Sequence, residues 1–247
     1  LEIRPNEMLA YCLSKMIRVV AMSDSHDCHD RIDINSLPPA DIFIHAGDFT
    51  QYSYRGEMDR FRDFLKRLPY KHKIVVAGNH DFVLDRQNYE TKHKPKRHKY
   101  EKMNSEDEIQ KLKEVCTYLD HESTVVEGIK IFGSPYQPLF YNWAFQYHSS
   151  RAEDIWSEIP KDTELLITHG PPHGILDKSS EGEHAGCPTL MKYVELIRPK
   201  VHIFGHIHHS AGTHIGEHTA FYNVAVVNEA YELSHPLTVI EYKRPTE

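Results

Sequence analysis

Lys73-Ile74-Val75-Val76-Ala77-Gly78-Asn79-His80-Asp81 joins a short apolar run to a cluster of chemically capable side chains. Ile74 to Ala77 have the length and composition of a buried strand. Gly78 permits a sharp turn at little steric cost. Asn79 then offers a carbonyl oxygen, His80 an imidazole and Asp81 a carboxylate. Taken alone, this is also an ordinary strand-to-loop turn, since Gly-Asn is common in turns. What decides between the two readings is whether the pattern recurs.

It recurs on both sides. Towards the N-terminus, Met16 to Met22 reads as a strand ending at Ser23-Asp24-Ser25-His26, and Asp41 to Ala46 as a strand ending at Gly47-Asp48. Towards the C-terminus, Glu164 to Thr168 ends at His169-Gly170-Pro171-Pro172, and Lys200 to Phe204 at Gly205-His206-Ile207-His208. Each ending has its own bland explanation. Asp24 and His26 can cap a turn, Asp48 can form an Asx-turn, His169 can be a core histidine, and paired histidines occur on surfaces. Recurrence at five like strand ends outweighs those explanations. In open α/β sheets, ligands gather at the carboxyl ends of strands. Folding would then collect Asp, Asn and His donors in excess of what one metal needs. Such a set suits two divalent metals bridged by a carboxylate.

The segments between the strands predict an α/β architecture. Met58, Phe61, Leu65 and Leu68 hold one apolar helical face. Ser105 and Glu108 have capping-box spacing and open a helix expected to run through Ile109, Leu112, Cys116 and Leu119. Thr124 to Glu127 and Ile129 to Gly133 predict a hairpin turning at Gly128. Ser150 and Glu153 form a second capping box ahead of Ile155, Trp156 and Ile159. Pro188 opens a helix to Ile197, and residues 211 to 242 alternate as closing strands. Residues 1–15 read as a peripheral lead-in, and 16–247 as one domain. The run from Lys92 to Lys99 is basic and reads as a solvated insertion or mobile loop; the sharper alternative is a rim that attracts an anionic substrate.

The chain has 247 residues, 40% hydrophobic and 26% charged, an ordinary globular composition. A net charge of −7 argues against long nucleic acid as a partner, because such binding needs a basic footprint. The unusual figure is 19 histidines, the commonest metal-ligating side chain. Cys12, Cys28, Cys116 and Cys187 form no C-x-x-C pair and read as reduced thiols. No apolar run is long enough to span a bilayer, and no secretory signal is read. A cytoplasmic setting without membrane attachment is expected. The oligomeric state is left open.

The order Asp24-x-His26, Gly47-Asp48, Gly78-Asn79-His80-Asp81, His169, Gly205-His206-x-His208 resembles the calcineurin-like metallophosphoesterase superfamily over about residues 16 to 242. Gly47-Asp48-Phe49-Thr50, Gly133-Ser134-Pro135-Tyr136-Gln137-Pro138 and Thr168-His169-Gly170-Pro171-Pro172 look like its small metallophosphoesterase-domain-containing members of the fetal-brain type. The resemblance implies a four-layer α/β/β/α sandwich with a dinuclear centre. Asp24, His26 and His208 would hold one cation, Asn79, His169 and His206 the other, and Asp48 would bridge them. Manganese is the first expectation, with iron or zinc as alternatives. Between the cations a water would be activated to hydroxide for in-line attack on phosphorus. His80 would stabilise the phosphate or protonate the leaving group, with Asp81 orienting its ring. The implied activity is hydrolysis of small phosphodiesters, cyclic nucleotides among them. The alternatives are a phosphomonoesterase, a phosphoprotein phosphatase, or a weakly catalytic scaffold on the same fold.

Asn79, His80 and His208 are expected to touch substrate. Tyr136, in the aromatic loop up to Trp143, is the candidate for stacking on a nucleobase; the competing reading packs this loop onto the body. His45, within its strand, is expected in the core. His29, His173 and His209 adjoin the motifs and are secondary candidates for the lining.

Overall fold

The computed structural model describes residues 16–243. The expected lead-in at 1–15 and Cys12 lie outside the described residues. The first half contains β1 (Met16–Met22), β2 (Ile42–Ala46), α1 (Arg55–Arg67), β3 (His72–Val76), α2 (Lys94–Arg97), α3 (Ser105–Lys113), β4 (Thr117–Leu119) and β5 (Glu122–Val126). There follow β6 (Ile129–Ser134), β7 (Gln137–Pro138), β8 (Gln146–Tyr147), α4 (Ala152–Trp156), β9 (Leu165–Thr168), α5 (Pro188–Ile197), β10 (Val201–Phe204), β11 (Gly212–Ile215), β12 (Ala220–Asn223) and β13 (Thr238–Lys243).

Two sheets carry the architecture. The first has the order β13-β1-β2-β3-β4, the second β11-β12-β10-β9-β6-β5. Strands β1 to β4 are mutually parallel, as are β12, β10, β9 and β6, with antiparallel strands only at the edges. Alternation along each strand divides the apolar side chains between two faces. Ile17, Val19 and Ala21 of β1 meet Ile42, Ile44, Ile74, Ile131, Ile167 and Ile203 between the sheets. Val20, Met22, Phe43 and Val75 face outward onto Met58, Phe61 and Leu65 of α1 and Ile109 and Leu112 of α3. On the far side Phe132, Leu166 and Phe204 pack on Ile155 and Trp156 of α4 and Leu190 and Val194 of α5. The result is the four-layer α/β/β/α sandwich. The parallel strands of each sheet also end together, which brings the polar endings to one edge.

Several local expectations need correcting. The helix expected from Ser105 to Leu119 stops at Lys113, and Asn104 caps it by accepting the Asp107 N–H at 2.9 Å. Residues 117–119 leave the helix because the edge of β3 needs a hydrogen-bonding partner, and they pair with Ile74 to Val76 in parallel. Ser150 lies in a 3₁₀ turn and caps nothing, while Ile159 falls beyond α4. Pro160 disfavours helical backbone at the residue before it, yet Ile159 stays buried. The basic run is ordered: a π-type turn at Tyr89–His93 leads into α2. Buried His93 lies 3.4 Å from the Asp85 carboxylate, and buried His98 3.1 Å from the Tyr89 hydroxyl. The hairpin forms as expected, with Glu127 and Gly128 both at positive φ, as a type I′ turn requires.

Candidate metal centre

Three of the donor-bearing strands, β1, β2 and β10, deliver their side chains through short, strained endings. Asp24 and His26 follow β1 with φ of 54° and 40°, Asp48 follows β2 with 57°, and His206 follows β10 with 69°. Non-glycine residues in this region cost about 1–3 kcal/mol each and cluster at functional sites. Long-range bonds hold them there. Asp24 accepts the His206 N–H at 2.9 Å and the Ser23 hydroxyl at 2.5 Å, and faces His208 Nε2 at 3.4 Å. The Ala46 carbonyl accepts from His169 Nδ1 at 3.0 Å.

The donor atoms converge in two groups, linked by a third made of His26, Asp48 and His80. Those of Asp24, His26 and His208 lie within 4.8 Å of one another, as do those of Asp48, His169 and His206. Asp48 lies between the groups: its Oδ2 is 3.8 Å from His26 Nε2 and 3.3 Å from His169 Nε2. Its Oδ1 accepts the His80 N–H at 2.7 Å. Asn79 Oδ1 completes the second group, 3.0 Å from His169 Nε2. A carbonyl can only accept, so His169 Nδ1 and His208 Nδ1, the latter 3.1 Å from the Asn228 carbonyl, each carry a proton. Their Nε2 atoms therefore face the carboxylates.

Charge in the cluster is strongly polarised. Burial pushes His26 and His206 down to about 3, favouring neutral imidazoles. Burial opposes ionisation of Asp48 and Asp24, yet both are held well below the usual carboxylate range by the facing histidines. Burial also opposes charge on His169, but the Asp48 charge and contact raise it to about 9. Two buried carboxylates, an amide oxygen and inward-turned imidazole nitrogens are a donor set that fits divalent cations.

Asp81 does not orient the His80 ring. Its carboxylate faces away and accepts the N–H groups of Gly78 at 2.8 Å, Asp48 at 2.9 Å and Thr50 at 3.0 Å, plus the Thr50 hydroxyl at 2.8 Å. Burial and the Asp48 charge push its carboxyl up to about 8. Asp81 is thus a positioning residue that ties the β2 and β3 endings together. The Gln51 carbonyl, 2.7 Å from His80 Nδ1, holds the ring instead. Trp143 covers it, with ring centroids 4.2 Å apart, and His26 meets its edge at 4.5 Å.

These groups open into a cleft of about 270 Å³ lined by Phe140, Trp143 and Tyr231 as well as His26, Asp48, Asn79, His80, His206 and His208. Tyr136 is not among its walls. It packs against Phe145 and His121, because the β7–β8 pairing draws residues 137–138 inward and swings Phe140 out. His45 sits in the core as expected, accepting the Gly47 N–H. His29 is buried on Phe61 and Phe64, and exposed His173 pairs with Asp177, both away from the lining. His209 does line the cleft. Tyr231 carries no sequence motif. The Gln51 and Asn228 carbonyls are backbone atoms, which leave no trace in residue type.

Gly78 is required by close approach: a Cβ there would collide with the Asp48 carboxylate, the Asp48 backbone and the His169 ring. Gly78→Ala is expected to destabilise the fold by about 1–3 kcal/mol in urea titrations and to reduce bound metal. An unchanged midpoint together with unchanged metal content would show that the endings relax freely.

Among the described residues no helix is long and apolar enough to cross a membrane. Residues 17–210 match the calcineurin-like phosphoesterase family. The chain is 36% identical to human metallophosphoesterase domain-containing protein 1 over 237 residues, covering 92% of this chain and 72% of the relative. It is 37% identical to UPF0046 protein K07C11.7 of Caenorhabditis elegans over 221 residues, covering 88% and 72%. Its fold is similar to phosphopantetheinyl hydrolase (PptH) from Mycobacterium tuberculosis, with a TM-score of 0.59 and 16% identity, covering 88% of this chain and 92% of that one. The matched span runs from the first donor-bearing strand through the last donor, and on these grounds the chain belongs to the calcineurin-like phosphoesterase family.

Proposed function

We propose that this protein is a metal-dependent phosphodiesterase acting on small phosphodiesters, cyclic nucleotides among them, in the cytoplasm. Asp24, His26 and His208 would hold one divalent cation and Asn79, His169 and His206 a second, with Asp48 shared. Manganese is the first candidate, then iron or zinc. Cations bound there supply positive charge to a phosphoryl oxygen and lower the pKa of water.

The observation that carries this reading is His80. Its Nδ1 proton is committed to the Gln51 carbonyl, and the ring is clamped between Trp143 and His26. Nε2 is left as the working atom at the cleft floor. There it can hydrogen-bond a phosphoryl oxygen or give a proton to a departing alkoxide. Phe140, Trp143 and Tyr231 offer faces to a nucleobase or another flat ester arm. The cleft volume and the acidic chain both favour a small substrate over a polynucleotide.

Chelator-treated protein reloaded separately with manganese, iron and zinc should hydrolyse cyclic nucleotides and bis(p-nitrophenyl) phosphate in preference to p-nitrophenyl phosphate. Bound metal is counted in the same samples. Tenfold faster monoester turnover would replace the diesterase reading with a monoesterase. Full loading without turnover of any ester would leave a scaffold.

A further inference from the structure

A second cleft of about 460 Å³ adjoins the first, lined by Lys92, His93, Lys96, Arg97, Tyr141, Asn142 and Trp143. Trp143 is a wall of both. One face of this indole lies near His80, and the Arg97 guanidinium carbon sits 5.0 Å from its ring centroid. Arg97 is also 4.3 Å from the Phe82 ring and 5.4 Å from that of Tyr52. Three aromatic faces therefore fix the guanidinium by cation–π contact. Ring faces attract its charge but leave its N–H edges without oxygen acceptors. Among the described residues no oxygen accepts a hydrogen bond from the Arg97 side chain, and Lys92, Lys96 and Arg97 have no carboxylate within ion-pair distance.

What sets these three cations apart is that they line one cleft together. The neighbouring charges are already satisfied: Lys94 pairs with Glu90, and Asp85 faces His93 and Asn88. A rigid guanidinium with free N–H edges, flanked by two mobile ammonium groups, matches a phosphate dianion.

We propose that this cleft is an anion subsite for a second phosphate carried by the substrate, one indole away from the scissile diester. The proposal rests on the phosphodiesterase reading and narrows its substrate class to diesters bearing an additional phosphate. The basic run then serves as a specific receptor, set in place by the buried His93 and His98 on either side of α2.

The test compares thymidine 5′-(p-nitrophenyl phosphate) with and without a 3′-phosphate, on metal-loaded enzyme. The 3′-phosphorylated ester should show a KM lower by roughly tenfold at similar kcat. Lys92→Ala/Lys96→Ala should raise that KM by roughly fivefold and leave both constants for the plain ester unchanged. Arg97→Gln should remove most of the remaining preference. Equal KM values in the wild type, or a preference that survives both variants, overturns the subsite. Free inorganic phosphate that changes kcat without competing with the 3′-phosphorylated ester would assign the cleft to a separate anion and overturn the substrate-borne role. Calorimetry on chelator-treated protein with thymidine 3′,5′-bisphosphate and thymidine 5′-monophosphate reads the subsite without turnover. Tighter binding of the bisphosphate, weakened in the double lysine variant and lost in Arg97→Gln, upholds the phosphate subsite itself whatever the turnover assays show; equal affinities reject it.

Discussion

Asp48→Asn is expected to lower phosphodiester turnover by about three orders of magnitude or more, and to reduce bound metal sharply. Among the described residues Asp48 is the only carboxylate set between the two donor groups, 3.8 Å from His26 Nε2 on one side and 3.3 Å from His169 Nε2 on the other. An asparagine keeps an oxygen that can accept the His80 N–H, so the β3 ending retains its anchor. What is lost is one negative charge at the point where both cations would draw on it. Losing the several kcal/mol of charge stabilisation that metal ions supply corresponds to a rate loss of that size. The measurement pairs metal analysis with initial rates at saturating metal. Two ions per chain and wild-type turnover in the variant would remove Asp48 from the shared position.

His80→Ala should separate chemistry from metal binding. The imidazole is fixed by the Gln51 carbonyl and by Trp143, but it contributes no side-chain atom to the Asp24 group or the His169 group. Its donor atom does approach His26 and Asp48 within 4.8 Å, so it flanks the centre without being needed to complete it. Turnover is expected to fall by about 10²–10⁴-fold, the range for a lost acid–base group, while metal content stays near wild type. The fall should be steeper for alkyl esters, which need a protonated leaving oxygen, than for p-nitrophenyl esters, which do not. Equal losses on both would point to phosphate stabilisation as the role of His80. Unchanged rates on both would exclude it from the reaction.

The contrast between His80 and Asp81 shows what the sequence could convey. The donors at 24, 26, 48, 79, 169, 206 and 208 were legible because each directly follows an apolar strand, and parallel strands must end side by side. The four-layer arrangement was implied by resemblance, and its physical basis is that successive apolar side chains of β1 enter different cores, one on each face. Asp81 misled because adjacency suggested a pair. After Gly78 the chain turns so tightly that the carboxylate points back beneath the loop, to backbone donors from two strand endings. Tyr136 misled in the same way: it belongs to an aromatic stretch, and only the β7–β8 pairing settles that Phe140 and Trp143 reach the cleft. The overlong helix at 105 failed because periodicity cannot report that the β3 edge needs a partner. In each case the deciding contact joins residues far apart in the chain, or uses a backbone atom common to every residue.

The donors are divided between the two sheets. Asp24, His26, Asp48 and Asn79 hang from the first; His169, His206 and His208 hang from the second. Between them the sheets meet chiefly through aliphatic side chains, with the Tyr242 hydroxyl of the first reaching Glu164 and Lys200 of the second, and at this edge the His206 N–H and the Ala46 carbonyl reach across. A cation held by both sets would act as a rivet through the seam, since separating the sheets would require releasing it. Each tenfold rise in free ion above its dissociation constant would then add about 1.4 kcal/mol to the work of prising the halves apart. The strained backbone at the rivet hole would be tolerable only while the seam stays shut, and resistance to unfolding would then depend on the protein's ionic surroundings as much as on its core.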